Sequence, residues 1–332
     1  MCLVALTVSC NRPRQPPSVT FTTIPPMAAG GPDKVAPIAG RVTGAPDGSR
    51  IVIFAKSNVG VWWVQPLSAE PFTPIAADGS WKSTIHLGVE YAALLVDPAY
   101  QPPPTAERLP DPGGVIIARV TAAGTGTLAL PTARHLSFSG YDWEVRQIPS
   151  DRGGANRYDP DNAWVDSEGL LHLRLRQRDG EWTSAEVILT RSLGYGTYAF
   201  VVRDVSQLDP AAAMGMLTWD DLAAAQNHRE LDIEISQWGD RSIANAQFVV
   251  QPYGTPGNLQ RIATPAGSQT LGFTWRPNEV AFTAGASSWT YTGTSIPPPP
   301  ASVHMNLWLD AGRPPTDGKP VDVVVSGFSY AP

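Results

Sequence analysis

The sequence predicts an all-β chain made of two sandwich domains, and three observations carry that reading. Thirty glycines and 33 prolines among 332 residues, with only 16 % charged residues, favour many turns and short strands over long helices. Short runs rich in Val, Ile, Thr and aromatic residues, bounded by Gly, Pro, Asp and Asn, recur from Val35 to the end. A helical period is almost absent: the one candidate, "DDLAAAQN" at Asp220 to Asn227, reads as a helical turn in a loop. A chain of this length holds one large or two modest compact units. No internal repeat of fixed period is visible.

The elements follow in order. "MCLVALTVSCNRP" is a short apolar run ending in a small residue and a cysteine, and it resembles the end of a bacterial lipoprotein signal in which Cys10 is lipidated. Thr7 stands where an aliphatic residue is usual, and no basic residue precedes the run, which a start codon placed too late would explain. Residues 1–34 are expected to be this signal followed by a Pro-rich tether. The chain is then expected to be exported, either secreted or lipid-anchored in the bacterial cell envelope through Cys10. Cys2 and Cys10 are the two cysteines, so nothing beyond them forms a disulfide or a thiolate metal site. No later segment reaches the roughly 20 apolar residues of a membrane span. A net charge of -6 without clustered Lys and Arg argues against a nucleic-acid partner.

Residues 35–123 read as a small β-sandwich module built of "APIAGRVTG", "SRIVIFAKS", "VWWVQPL", "GSWKSTIHL", "YAALLVDP" and "GVIIARVTA". Trp62 and Trp63 fall on opposite faces of one strand, so at most one is core. The other meets a glycan or the second domain, and the module is a carbohydrate-binding unit or a spacer. Residues 124–134, "GTGTLALPTAR", read as a linker. Residues 135–332 carry longer strands, among them "LLHLRLRQR", "TSAEVILTR", "YGTYAFVVRD", "ELDIEISQW", "NAQFVVQPY", "LGFTWRP", "EVAFTAG", "VHMNLWL" and "PVDVVVSGFSY", and predict a two-sheet antiparallel sandwich.

The strand "RELDIEISQWGD" is the chemical centre of the sequence. Side chains alternate along a strand, so Glu230, Asp232 and Glu234 share one face while Leu231, Ile233 and Ile235 share the other, which must be core. Successive carboxylates then lie about 6.6 Å apart, which is roughly 0.6 kcal/mol of repulsion per pair in water and about 2.5 kcal/mol at an effective dielectric near 20. A purely structural acidic face would more often be diluted with Thr or Lys. A functional face uses the repulsion: one carboxyl holds a proton near neutral pH while another stays an ionised nucleophile, the pair that glycosidic cleavage needs. On a straight strand the Cα atoms of Glu230 and Glu234 are about 13 Å apart, so curvature and converging side chains must bring the two carboxyls to one bond, as a curved jelly-roll sheet would.

Here the sequence resembles the family 16 glycoside hydrolases, which include endo-β-1,3-1,4-glucanases and laminarinases, in its "ELDIE". The likeness extends to "FSGYDWEVR", "NAWVDSEGLLHLRL", "WTSAEVILTRSLGYGTYAFVVR", "NAQFVVQPY", "FTWRPNEVAFTAG" and "VHMNLWL", which follow in the family's order. It implies a concanavalin-like β-jelly-roll sandwich and a retaining endo-acting hydrolase of β-linked polysaccharide. Glu230 would be the nucleophile, Glu234 the general acid and then base, and Asp232 the residue that tunes and orients them. Asn162, Glu186, Trp219, Gln247, Asn306 and Trp308 fall at the family's substrate-binding positions. Strand parity places Asn306, Trp308 and His304 on one face, and Leu217 with Trp219 on another; a sugar site needs such aromatic faces and polar groups. Ile188 stands where some members carry Arg, and Val249 and Gln251 replace Asn and aromatic positions, so distal subsites differ.

Arg229, directly before Glu230, pairs with a carboxylate, binds an acidic sugar, or is solvated. The five histidines lack metal spacing, and no cofactor is implied; the cluster Asp159, Asp161, Asp166 and Glu168 is a structural calcium site or an ordinary turn. A monomer is expected. A transglycosylase would share the catalytic residues, and a non-catalytic glycan-binding protein or an envelope structural protein would share the fold.

Overall fold

The computed structural model describes residues 16–29, 34–58, 60–128, 132–147 and 156–332. Cys2, Cys10 and the lipoprotein-like run lie outside the described residues.

The first module is a sandwich. Strands Ser18–Thr23, Val35–Thr43 and Ser80–His86 form one antiparallel sheet, and Thr105–Ala106, Trp62–Gln65, Arg50–Lys56, Glu90–Val96 and Ile116–Ala123 are ordered across the other. Ile38, Ile51, Ile53, Trp81, Ile85, Tyr91 and Leu95 fill the space between them. Val52, Phe54, Trp62, Val64 and Leu94 pack into a second apolar layer on the outer side. Arg50–Lys56 and Glu90–Val96 are thus buried on both faces, which is why their sequences run nearly unbroken in apolar residues. Trp62 is the core member of the tryptophan pair and Trp63 is half-buried.

The tether is shorter than the sequence predicts. Ser18–Thr23 is an edge strand, with Val19 opposite Val42 and Phe21 opposite Gly40. Its alternation, Val19 and Phe21 between Ser and Thr, is too short to stand out from a Pro-rich flank. Phe21 meets Trp81 edge-on at 5.9 Å, and Gly40 is required there because a Cβ would come within 2.3 Å of the Trp81 ring. The start of the linker is tied down as well: Gly124 N donates to Val89 O and Thr125 N to Pro25 O.

The second domain is a jelly-roll sandwich. One sheet runs Leu259–Ile262, Ala246–Val250, Leu231–Ile235, Ala212–Trp219, Ser302–Leu309, Glu181–Leu189, Tyr141–Val145 and Arg134–Phe138. Facing it are Ala163–Val165, Leu171–Arg178, Val321–Ala331, Gly196–Val202, Gln269–Arg276, Glu279–Ala284 and Ser287–Tyr291. The hairpin of Leu171–Arg178 and Glu181–Leu189 joins the two. Pairing is antiparallel apart from Arg157–Tyr158, which runs parallel to Glu181–Leu189. Trp143, Met214, Ile233, Phe248 and Met305 of the first sheet meet Leu173, Phe200, Phe273, Phe282 and Val325 of the second in one core. Three strands absent from the sequence reading, Arg157–Tyr158, Leu259–Ile262 and Ser287–Tyr291, are short. In place of the expected helical turn stands an irregular turn, Ala224–Arg229, whose Gln226, Asn227 and His228 lie outside helical geometry.

Candidate active site

Register, more than any single motif, builds the site. Across the first sheet Glu186 stands opposite Asn306, Asn306 opposite Gly215, Gly215 opposite Glu234, Glu234 opposite Gln247 and Gln247 opposite Arg261. One step along, His304, Leu217, Asp232, Val249 and Leu259 form the next same-face row. Leu231, Ile233 and Ile235, at most 1 % exposed, fill the opposite face of the acidic strand. The burial that fixes those aliphatic residues aims the three carboxylates away from the core.

They point into a groove of about 660 Å³, within the size range of small-molecule and substrate sites. Glu230, Asp232, Glu234, Trp219, Gln247, Asn306 and Trp308, all named from the sequence, line it. Gly215 makes room at the centre: a Cβ there would lie 2.5 Å from Asn306 Oδ1, whereas its N–H donates to that oxygen at 3.0 Å. That bond fixes the amide and leaves Asn306 Nδ2 to meet a ligand. Trp219 is held by Nε1 donating to Asp221 Oδ1 at 2.8 Å and by stacking on His228 at 3.9 Å. Trp308 packs against Trp238 with ring centres 5.8 Å apart. Gln247 Oε1 and Trp238 Nε1 are buried without a hydrogen-bond partner among the described residues.

The carboxyls differ in their surroundings. Burial, the neighbouring charges of Glu230 and Glu234, and a hydrogen bond with Glu230 hold the Asp232 pKa well above the ordinary carboxylate range, against one opposing contact from Gln251 Nε2 at 2.9 Å. Asp232 therefore tends to keep its proton and share it with Glu230. Burial also raises the Glu234 pKa, against the Gln247 Nε2 donor at 2.5 Å and the field of Arg261. The arrangement supplies a carboxyl inclined to hold a proton beside another that accepts a hydrogen bond, which suits general-acid and nucleophilic chemistry on one bond.

Two residues named from the sequence are not in the groove. Asn162 is buried in a 3-10 turn, where Nδ2 donates to Thr183 Oγ1 at 2.9 Å and Ser184 O at 3.3 Å. It pins that turn to the sheet. Glu186 is buried beneath the groove and takes Arg146 Nε and His304 Nδ1, each at 2.6 Å. Its parity is right, but Arg146 from another segment covers it. Arg229 pairs with Asp220 at 3.1 Å and donates to Pro298 O at 2.8 Å; it does not line the groove.

The suspected calcium cluster is divided. Asp159 and Asp161 bind Arg178, Asp166 binds His172, and Glu168 faces Arg203 at 3.9 Å. No group of three or more metal-binding side chains is assembled among the described residues. The sequence reading missed Tyr158, Gly215, Tyr253, Leu259, Arg261 and Asp310 as lining residues, while Gln251, set at a subsite position by the resemblance, and Trp238, on the carboxylate face of its strand, also line the groove. Arg261 shows only once the register of Leu259–Ile262 is known.

No protein-family model and no curated protein matches the chain. Among solved structures it is similar to a beta-glucanase of Bacillus licheniformis, with a TM-score of 0.49 at 20 % identity, covering 61 % of this chain and 100 % of that one. A prokaryotic beta-1,3-1,4-glucanase (lichenase) from a mouse hindgut metagenome gives 0.46 at 19 %, covering 60 % and 99 %. An immunostimulatory antigen and pseudo beta-1,3-glucanase of Mycobacterium tuberculosis gives 0.44 at 20 %, covering 57 % and 89 %.

Proposed function

We propose that the second domain is a retaining, endo-acting glycoside hydrolase of β-linked polysaccharide. The observation that carries this reading is the acidic strand in its groove: Glu230, Asp232 and Glu234 line one cavity, with protons favoured on Asp232 and Glu234. In the first step a Glu230 oxygen forms a bond to the anomeric carbon while the glycosidic C–O bond breaks and Glu234 gives its proton to the leaving oxygen. In the second, Glu234 takes a proton from water, whose oxygen displaces Glu230 from the sugar. Asp232 orients Glu230 through its hydrogen bond. Trp219, Trp308 and Trp238 offer ring faces to sugars, and Asn306 and Gln247 offer amides. An extracellular site, secreted or lipid-anchored through Cys10, fits a polymer substrate and belongs to the same proposal.

The test is Glu230→Gln and Glu234→Gln, assayed by reducing-end release on a panel of β-glucans, galactans and charged glycans. Each is expected to lose more than about a thousandfold in activity with the fold unchanged. Near-native activity in either refutes the assignment. Proton NMR of the first-formed product should show the anomeric configuration of the substrate. Glycan affinity without any product would instead make the domain a binding module.

A further inference from the structure

The chain enters Glu230 through an unusual turn. Asn227, His228 and Arg229 have φ of 50°, 54° and 58°, three consecutive non-glycine residues in the left-handed region. Single residues there are uncommon, and a run of three persists only when its surroundings impose it. Asp220 supplies much of that constraint. Its N–H donates to His228 O at 2.7 Å, its carboxylate takes Arg229 Nε at 3.1 Å, and its own carbonyl faces His228 Nδ1 at 3.2 Å. The first module backs the turn, since its strand Thr105–Ala106 packs against Ala224–Arg229.

A second constraint straddles Glu230 itself. The backbone ladder between Ala212–Trp219 and Leu231–Ile235 ends at the Leu217–Asp232 pair. Beyond it the hydroxyl of Thr218, a fully buried residue, takes over: Oγ1 donates to Arg229 O at 2.8 Å and accepts from Leu231 N at 3.1 Å. One hydroxyl thereby grips the peptide groups on both sides of Glu230. The residue's own backbone is closed by Glu230 N donating to Asn227 O and Gln251 N donating to Glu230 O, each at 3.2 Å.

We infer that Thr218 and Asp220 are positioning residues for Glu230, the hydroxyl setting its height in the groove and the carboxylate locking the left-handed turn that delivers it. This rests on the reading of Glu230 as nucleophile. Neither side chain is placed to touch a sugar, so both act through backbone geometry, and displacement of a reacting group by about 1 Å can cost roughly a hundredfold.

The experiment compares Thr218→Val, which removes the hydroxyl, Thr218→Ser, which keeps it, and Asp220→Ala. Thr218→Val and Asp220→Ala are expected to lower kcat by roughly a hundredfold with KM little changed, and Thr218→Ser to stay near the parent. The loss should persist on an aryl glycoside whose leaving group needs no proton, because attack by Glu230 is impaired and protonation by Glu234 is not. An unchanged kcat, or a loss erased by the activated leaving group, overturns the proposal. Should Thr218→Val not fold, Asp220→Ala carries the same arms, its carboxylate being 19 % exposed. Carboxyl-carbon NMR of aspartate-labelled protein reads the same effect without turnover. A displaced Glu230 loosens its hydrogen bond, so Asp232 should titrate lower in Thr218→Val and Asp220→Ala and as the parent does in Thr218→Ser. An unmoved titration refutes the positioning; a moved titration in a parent without hydrolytic activity upholds it and sinks the proposed function alone.

Discussion

Glu186 and Glu234 occupy one cross-strand row on the same face of the same sheet, with Asn306 and Gly215 between them. Their fates diverge through their partners. Glu186 meets a guanidinium and an imidazole at 2.6 Å each, so its charge is matched inside the protein. Glu234 meets the neutral amide of Gln247 and only the outlying field of Arg261, and burial wins, pushing its pKa up. Removing a carboxyl from water favours the protonated form, but a full positive charge in contact reverses the outcome. Two glutamates on one row thus meet opposite surroundings, Glu186 an arginine and a histidine, and Glu234 a burial that favours its protonated form.

The largest effect that separates them is on rate. Glu234→Gln should cost about a thousandfold in kcat/KM, some 4 kcal/mol of barrier, without loss of stability at neutral pH. The sign follows from the raised pKa: the native state holds the proton more tightly than the unfolded chain, so its contribution is full at low pH and is lost as pH rises through the native value. The variant should therefore be at least as stable as the parent in urea at pH 7, and the difference should close in the ordinary carboxylate range. Equal activity, or lower stability at pH 7, would break the comparison.

Arg146→Met probes the other glutamate. It leaves Glu186 buried opposite His304 alone, and the unfolding free energy should fall by about 3–5 kcal/mol in urea titrations, with a smaller effect on rate than Glu234→Gln. A loss under about 1 kcal/mol, the range of surface pairs, would show that Arg146 is not what matches the charge. Gln247→Leu is the finer instrument. Losing the amide removes a donor that favours ionised Glu234, so the alkaline limb of the kcat/KM profile should move to higher pH, with a drop of about tenfold at the plateau, the order of one hydrogen bond to a charged group. Arg261→Gln should shift the same limb in the same direction by the least. Arg261 is exposed, and roughly 1 M salt should reproduce most of the shift in the parent, since the screening length is then about 3 Å.

Much of this was legible in the residues. The alternation of "ELDIEI" assigns the faces of its strand without a fold, because a period of two leaves no other way to bury Leu231, Ile233 and Ile235. The strand runs of both sandwiches, from Arg50–Lys56 to Val321–Ala331, are long enough in β-branched and aromatic residues to be read directly. Ser18–Thr23, Leu259–Ile262 and Ser287–Tyr291 escaped because edge strands of four to six residues bury too little to impose a pattern.

The site shows the same division. Glu230, Asp232 and Glu234 were named from strand parity, and Trp219, Gln247, Asn306 and Trp308 from the family resemblance; all seven line the groove. Asn162 and Glu186, placed by the family resemblance, do not line the groove because partners distant in sequence, Thr183 and Arg146, engage their polar groups inside the protein. The sequence alone determined which side chains share a face, since that depends on neighbours along one strand. The tertiary structure decided which of those faces opens to a groove, which carboxyl meets a cation and which turn carries Glu230 into place, because electrostatic environment and solvent access are set by segments far apart in the chain.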